Sequence, residues 1–510
     1  MIIKLGQDLS NKQLLSLARG EIAKLVLPNA SLKRIKDARK SVENILTKDT
    51  PVYGVSTGFG ALANKSISSD DSAELQSNLL VSHAVGFGED LESIEKRLAL
   101  LLRIQSLCRG FSGVRPELIR WLIDFYHSGW LPRVPSKGSV GACGDLAPLA
   151  HLVLPVIGFG ELISPQGKIV NAKAGLKKIG LEPLKLAAKE GLALINGVQI
   201  SNAIGLVAWA KLHDLSVTAD IVGALSVEAL QASHMPFDRR VVDVRPHSGA
   251  EKTSKNMRKL LARSQVKKSH VKCDKVQDPY SFRCIPQVHG AAKEALSHLQ
   301  RALLLEANSV TDNPLIFSNK DDVISAGNFH GQPIALPLDY AANAVCSWGN
   351  ISERRISTLI NPATSGLPAF LTPNPGLSSG LMIPQVVAAA LVSENKTYAH
   401  PASADSVTTS ADQEDHVSMA NFAARKLSFG AANLQRVLAI ELHVAAQGRD
   451  FNRELSAGVG AQAAYELVRK NVPPLKQDRY MAPEIDRVHD LVATGAVREA
   501  VERKTGLLFA

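Results

Sequence analysis

The chain has 510 residues, 45% hydrophobic, 21% charged and 5% aromatic. This is the balance of a globular protein, long enough for roughly two to four domains, and it excludes disordered and collagen-like classes. The net charge of +10 raises the question of nucleic acid. The basic residues gather in one stretch, 252–275, with no interleaved aromatics and no known nucleic-acid-binding signature, so a solvated surface segment is the favoured reading.

No nucleic acid is therefore expected as a partner. No apolar run nears the ~18 residues of a membrane span, and no membrane partner is expected either. The first twenty residues lack a basic start, a long apolar run and a small-residue cleavage site. The five cysteines, Cys108, Cys143, Cys273, Cys284 and Cys346, form no CxxC pair. Neither a disulfide framework nor a metal site is expected, and a reducing, cytoplasmic setting fits.

In chain order, residues 52–64 (VYGVSTGFGALAN) carry three glycines and read as a loop needing unusual backbone angles. From Glu95 the run EKRLALLLRIQSLCRG predicts a helix ending at Gly110. Residues 153–170 predict a hairpin around Pro-Gln-Gly. Beyond about residue 190 the pattern turns strongly helical. In 290–306, Ala292, Ala295, Leu296, Leu299 and Leu303 share one helix face. Further long helices are predicted over 334–360, 381–399 and 416–448. The segment IPQVVAAALV, 383–392, is apolar nearly all round, so it must be covered on every side, by a bundle core or by another subunit. The expected fold is mainly α: a long-helix bundle, 196–510, preceded by a mixed α/β N-terminal domain, 1–195.

One stretch in the first domain stands apart, GSVGACGDLAPLAH at 138–151. Gly144 lacks a side chain, so its amide nitrogen can fold back onto the carbonyl carbon of Ala142 and close a five-membered ring. Loss of water, then elimination across Cα–Cβ of residue 143, leaves an exocyclic methylene. The chemistry needs small flanking residues, a leaving group on the middle residue and a strained turn, and all three are present. Two plainer readings compete: a glycine-rich turn around a buried cysteine, or a Cys143 nucleophile with His151 as base.

This stretch resembles the cofactor-forming segment of the aromatic amino-acid ammonia-lyases and aminomutases. Their usual Ala-Ser-Gly triad cyclises to 4-methylidene-imidazol-5-one. Here the triad is Ala142-Cys143-Gly144, so hydrogen sulfide would leave where serine loses water. The resemblance runs from about residue 5 to residue 490. It implies a catalytic Tyr53, in YGVSTGFG, as the base that removes a substrate β-hydrogen. It implies that Asn196, in LALING, lies beside the electrophile and the substrate amine. In CDKVQDPYSFRC it implies Gln277 and Tyr280 near the cofactor and Arg283 on the substrate carboxylate, where a planar fork can hold both oxygens. Phe329, in GNFHGQP, matches a pocket-lining residue.

Two positions speak to the substrate ring. Ser82-His83, in LLVSHAVGFG, and Glu414, in SADQEDHVSM, match the members of the family that act on histidine. His83 and Glu414 would then hold an imidazole. The resemblance thus implies deamination of L-histidine to trans-urocanate and ammonia by a homotetramer, with no diffusible cofactor and no metal. An aminomutase is the alternative within the family. From a different class, an inactive helical scaffold follows if Cys143 does not cyclise.

Overall fold

The computed structural model describes residues 1–47, 57, 71–266, 276–319 and 322–510. The chain is predominantly helical and divides into two compact units. Neither unit is continuous along the sequence. The first comprises Met1–Ala210, Leu299–Asp339 and Pro401–Arg425; the second comprises Lys211–His298, Tyr340–His400 and Lys426–Ala510.

All strands among the described residues fall in the first unit, and all are short. Ile2–Lys4 pairs in parallel with Lys24–Val26, the crossover running through the helix Asn11–Ala18. Phe87–Asp90 pairs antiparallel with Pro135–Lys137. Leu131–Pro132, Glu161–Ile163 and Ile169–Asn171 form a three-stranded sheet in that order. The hairpin expected over 153–170 is therefore narrower. Its strands begin at Glu161, because Leu154–Ile157 instead form a 3-10 turn started by Pro155 and stopped by Gly158 in the left-handed region.

The helix Ser93–Leu107 shows how sequence sets local structure. Glu92 and Glu95 form a reciprocal capping box at its start, where carboxylates also suit the helix dipole. It ends at Leu107, three residues before the glycine that was expected to cap it. Arg109 N–H bonds Ser106 O and Gly110 N–H bonds Leu107 O, so the last turn tightens before Gly110 (φ +82°) redirects the chain. Its residues from Leu98 to Leu107 are buried throughout, and one of them is an arginine, Arg103.

The second unit is built from long helices. It takes Gln199–Leu230 from residue 211 on, Ile285–Ala307 up to residue 298, Gln332–Ile360 from residue 340 on, and Ala420–Asp450 from residue 426 on. The predicted face Ala292, Ala295, Leu296, Leu299 and Leu303 is buried. Charges are also buried in this unit. Arg355 grips Glu441 through two nitrogens, and Ser226 and Ser352 donate to the same carboxylate at 2.6 Å. Asp220 accepts from His289 and Asn256, both at 2.8 Å, with Lys293 Nζ at 3.0 Å. Such pairs are costly to desolvate, and costlier still to break by halves.

The basic run gains a definite role over its described part. Helix Ser248–Leu260 presents Lys252 to Ala510 O (2.9 Å) and Lys259 to Leu507 O (2.7 Å), while Asn256 and Lys293 bond Phe509 O. These side chains fasten the tail 507–510. Of the two kinds of cover expected for the apolar segment 383–392, the chain's own core supplies only part within helix Met382–Tyr398. Ile383, Val386 and Val387 are 58, 51 and 45% exposed.

Glu441→Ala should lower the free energy of unfolding by about 3–5 kcal/mol, because it strands a buried Arg355. The double variant Arg355→Met/Glu441→Leu should cost much less. Denaturant midpoints of the two proteins check this.

Candidate active site

The loop 138–145 is shaped by its small residues. Gly141 (φ +69°) and Gly144 (φ +78°) both take left-handed backbone. A Cβ on Gly144 would sit 2.1 Å from Gly197 O, and one on Gly141 would sit 2.3 Å from Ser418 Oγ. Gly197 itself has φ +143°, and a Cβ there would meet Thr311 Oγ1 at 2.2 Å. Two backbones therefore touch at Gly144 and Gly197, where no side chain fits on either. Asp145 N–H closes this contact by donating to Gly197 O at 2.7 Å.

Asp145 anchors the loop from below. Its fully buried carboxylate accepts from Ser139 Oγ (2.8 Å), Ser201 Oγ (2.7 Å) and Ser201 N–H (2.7 Å). Ser201 lies in the first turn of Gln199–Leu230, where free N–H groups and the helix dipole favour an anion. Burial pushes the Asp145 pKa up, and the hydrogen bonds from Ser201 and Ser139 pull against it. Other parts of the first unit hold the loop from above. Gly331 N–H and Ser418 Oγ both donate to Gly141 O, at 3.0 and 2.9 Å, and Met419 N–H donates to Val140 O at 2.8 Å.

The Cys143 thiol donates to Glu414 Oε1 at 2.8 Å. Burial raises the thiol pKa, and the Glu414 carboxylate raises it further, so the thiol stays protonated. Thr409 Oγ1 fixes the other Glu414 oxygen at 2.5 Å, and Thr409 and Glu414 exchange both backbone hydrogen bonds. On the opposite side, Asn196 Nδ2 donates to Cys143 O at 3.0 Å. His83 ends the helix Ser72–His83, with Nδ1 3.0 Å from Ser82 Oγ. Burial lowers its pKa below the usual 6.5, while Leu79 O and the Glu414 charge act in the other direction. His83 is therefore neutral near pH 7, with Nδ1 already engaged by Ser82 Oγ. Phe329 is half-buried, two residues from the Gly331 that bonds the loop.

His151 Nε2 accepts Gly86 N–H at 3.0 Å, and the Cys143 thiol is engaged by Glu414. A Cys143–His151 dyad has no support in these contacts. The first unit thus brings together Ala142, Cys143, Gly144, Asn196, His83 and Glu414, with Phe329 close by in the chain fold. Gln277, Tyr280 and Arg283 lie in the second unit. There Tyr280 and Arg283 open and close a single helical turn, and the Arg283 guanidinium lies 4.4 Å from the Tyr280 ring centroid. Arg283 Nε is buried with no hydrogen-bond partner, and Gln277 is exposed. Tyr53 lies outside the described residues.

The residues present fit a cyclised triad. Gly144 is held in a left-handed turn, Ala142 is buried, and Asn196 faces the carbonyl of Cys143, which would become the ring carbonyl. The sequence reading missed Asp145, Gly197 and the Ser139–Ser201 pair. Two of these adjoin residues it did single out, Asp145 after Gly144 and Gly197 after Asn196. Among the described residues no three His, Cys, Asp or Glu side chains gather as a metal set.

The model of the aromatic amino acid lyase family matches residues 9–470. The histidine ammonia-lyase of Deinococcus radiodurans is 52% identical over 496 residues, which cover 96% of this chain and 93% of that protein. The crystal structure of histidine ammonia-lyase from Trypanosoma cruzi superposes with a TM-score of 0.91 at 41% identity, covering 99% of this chain and 95% of that one. The tyrosine aminomutase of Streptomyces globisporus superposes at 0.93 with 35% identity and full coverage of both chains.

Gly197→Ala should prevent ring closure, since its new methyl group meets Thr311 and its φ is unsuited to alanine. Intact mass should show a chain that has lost neither water nor hydrogen sulfide.

Proposed function

This chain belongs to the aromatic amino acid lyase family, and we propose that it deaminates L-histidine to trans-urocanate and ammonia. The observation that carries the reading is the contact of Glu414 with Cys143. A carboxylate suited to an imidazole stands directly against the residue that would become the electrophile, and the neutral His83 feels its charge.

Condensed from Ala142-Cys143-Gly144, the 4-methylidene-imidazol-5-one would supply an electron-poor alkene that draws electrons from the substrate. The rest is the work of ordinary side chains. His83 and Glu414 hold the imidazole by hydrogen bonds. Arg283 holds the carboxylate, and Phe329 and Gln277 border the substrate. Asn196 has its amide nitrogen on the Cys143 carbonyl and its Oδ1 without a partner, so Oδ1 can accept from the substrate amine. Tyr53 takes the β-hydrogen as a proton, the Cα–N bond breaks and the electron pair of the Cβ–H bond becomes the new double bond. Tyr280 offers a hydroxyl to the developing charge. Orientation by anchors at both ends of the substrate is the main non-covalent contribution.

The same reading makes the enzyme a homotetramer of the cytoplasm. Support for assembly comes from the exposed apolar residues Ile383, Val386 and Val387, which a partner subunit would cover. Support for the compartment comes from the unpaired cysteines Cys108, Cys143, Cys284 and Cys346.

Incubation with L-histidine should release ammonia and raise urocanate absorbance in equal amounts. A β-amino acid product without net ammonia would instead mark an aminomutase. His83→Ala should raise KM for histidine by on the order of tenfold or more, the loss of one buried hydrogen bond. Because the His83 pKa lies below 6.5, kcat/KM should stay flat from neutral pH down to that value and fall below it as the ring becomes charged. Val387→Arg should split the tetramer into smaller species in light scattering at unchanged helix content.

A further inference from the structure

The site rests on a buried cation that the reaction scheme does not use. Arg103 is completely buried in the helix Ser93–Leu107. Its Nη1 donates to Asn196 O at 2.6 Å and to Gln199 Oε1 at 3.2 Å, and its Nη2 donates to Ser106 Oγ at 3.2 Å. Burial lowers its pKa to about 10, with the Asp312 carboxylate opposing the shift, so it is charged at neutral pH. Yet Asp312 is already taken. Lys189 Nζ, equally buried, pairs with it at 2.8 Å. Two buried cations thus share one buried anion. A buried charge without its own counterion is expensive, and a straight apolar side chain would fill the same space more cheaply.

What the surplus charge faces is the carbonyl of Asn196. That residue ends the helix Glu190–Ile195, and its side-chain amide holds Cys143 O. Gly197, next in the chain, is the glycine pressed against Gly144, and Arg103 Nη1 itself lies 3.0 Å from where a Cβ on Gly197 would stand. Gln199, the second acceptor of Nη1, is tied at 2.7 Å to Thr311 Oγ1, which blocks the same Cβ. The guanidinium therefore fixes the Asn196–Gly197 peptide from behind, while that peptide and the Asn196 amide fix Cys143-Gly144 in front.

We propose that Arg103 is a positioning residue for the triad, acting through Asn196. By binding the Asn196 carbonyl it aims the Asn196 amide at the carbonyl of Cys143 and holds Gly197 against Gly144. The consequence falls first on ring closure and then on deamination. This inference rests on the proposed lyase reading.

The test compares Arg103→Met, Arg103→Lys and the unchanged tetramer, purified alike and checked by melting temperature. Two quantities are read for each: the fraction of chains whose intact mass shows loss of water and hydrogen sulfide, and kcat and KM for histidine. Arg103→Met should fold but show a smaller cyclised fraction and a kcat lower by on the order of ten- to a hundredfold, with KM within a few-fold. Arg103→Lys restores a cation at the Asn196 carbonyl and should recover most of both. In an Asn196→Ala background, Arg103→Met should cost less than it does in the unchanged protein, because the amide it aims is gone and only its support of Gly197 is left to lose.

Gln199→Glu gives a readout that does not depend on Arg103→Met folding. It puts a carboxylate on the same guanidinium nitrogen, draws it from the Asn196 carbonyl, and should lower the cyclised fraction at unchanged melting temperature. Wild-type cyclisation and kcat in Arg103→Met or Gln199→Glu, a lysine variant as poor as the methionine one, or losses that simply add in the Asn196→Ala background would each overturn the proposal. If the unchanged protein itself keeps its thiol and leaves histidine intact, it is the lyase reading that fails.

Discussion

The site depends on two glycines in contact. Gly144 and Gly197 approach so closely that a methyl group on either would lie within about two ångströms of a neighbouring atom. Each also has a backbone angle that other residues rarely take. Everything around this contact secures it. Asp145 ties one strand of the loop to the start of a long helix, and Asn196 ties the Cys143 carbonyl to the end of a short one. Ring closure needs the Gly144 nitrogen near the Ala142 carbonyl, and a free chain would lose much conformational entropy to put it there. Here Gly144 is already held in a left-handed turn by its contact with Gly197.

The second constraint is electrostatic. The loop lies between a carboxylate at the sulfur, Glu414, and a buried carboxylate behind it, Asp145. Positive charge is held deeper, on Arg103 and Lys189. In the proposed cyclisation a protonated thiol would matter, because Cβ–S cleavage releases sulfur more readily with a proton on it. The Glu414 carboxylate, which holds the thiol in that form, has its other oxygen bound by Thr409.

Much of this was legible in the sequence, for identifiable reasons. Small residues around Cys143 announce an unusual backbone whatever the fold, and helical periodicity predicted the buried face at Ala292, Ala295, Leu296, Leu299 and Leu303. What escaped notice depends on distant partners. Arg103 reads in sequence as one charge in a helix, and only the chain's return through residues 196–199 and 311–312 explains its burial. The hairpin was placed too early because periodicity does not show that Pro155 starts a 3-10 turn. The apolar segment 383–392 reads in sequence as needing cover on every side, and periodicity alone does not decide between the chain's own core and another subunit; within the chain, Ile383, Val386 and Val387 stay exposed.

The first unit is assembled from three separated pieces of chain, and the last of them supplies Ser418 and Met419. A nascent polypeptide still short of those residues lacks the bonds to Val140 and Gly141 and has no Glu414 to face the sulfur. In the proposed chemistry, the order of synthesis would therefore delay the reactive alkene until residue 419 has been made. A ribosome-bound fragment would carry an ordinary cysteine, harmless to the thiols and amines of the translating cell.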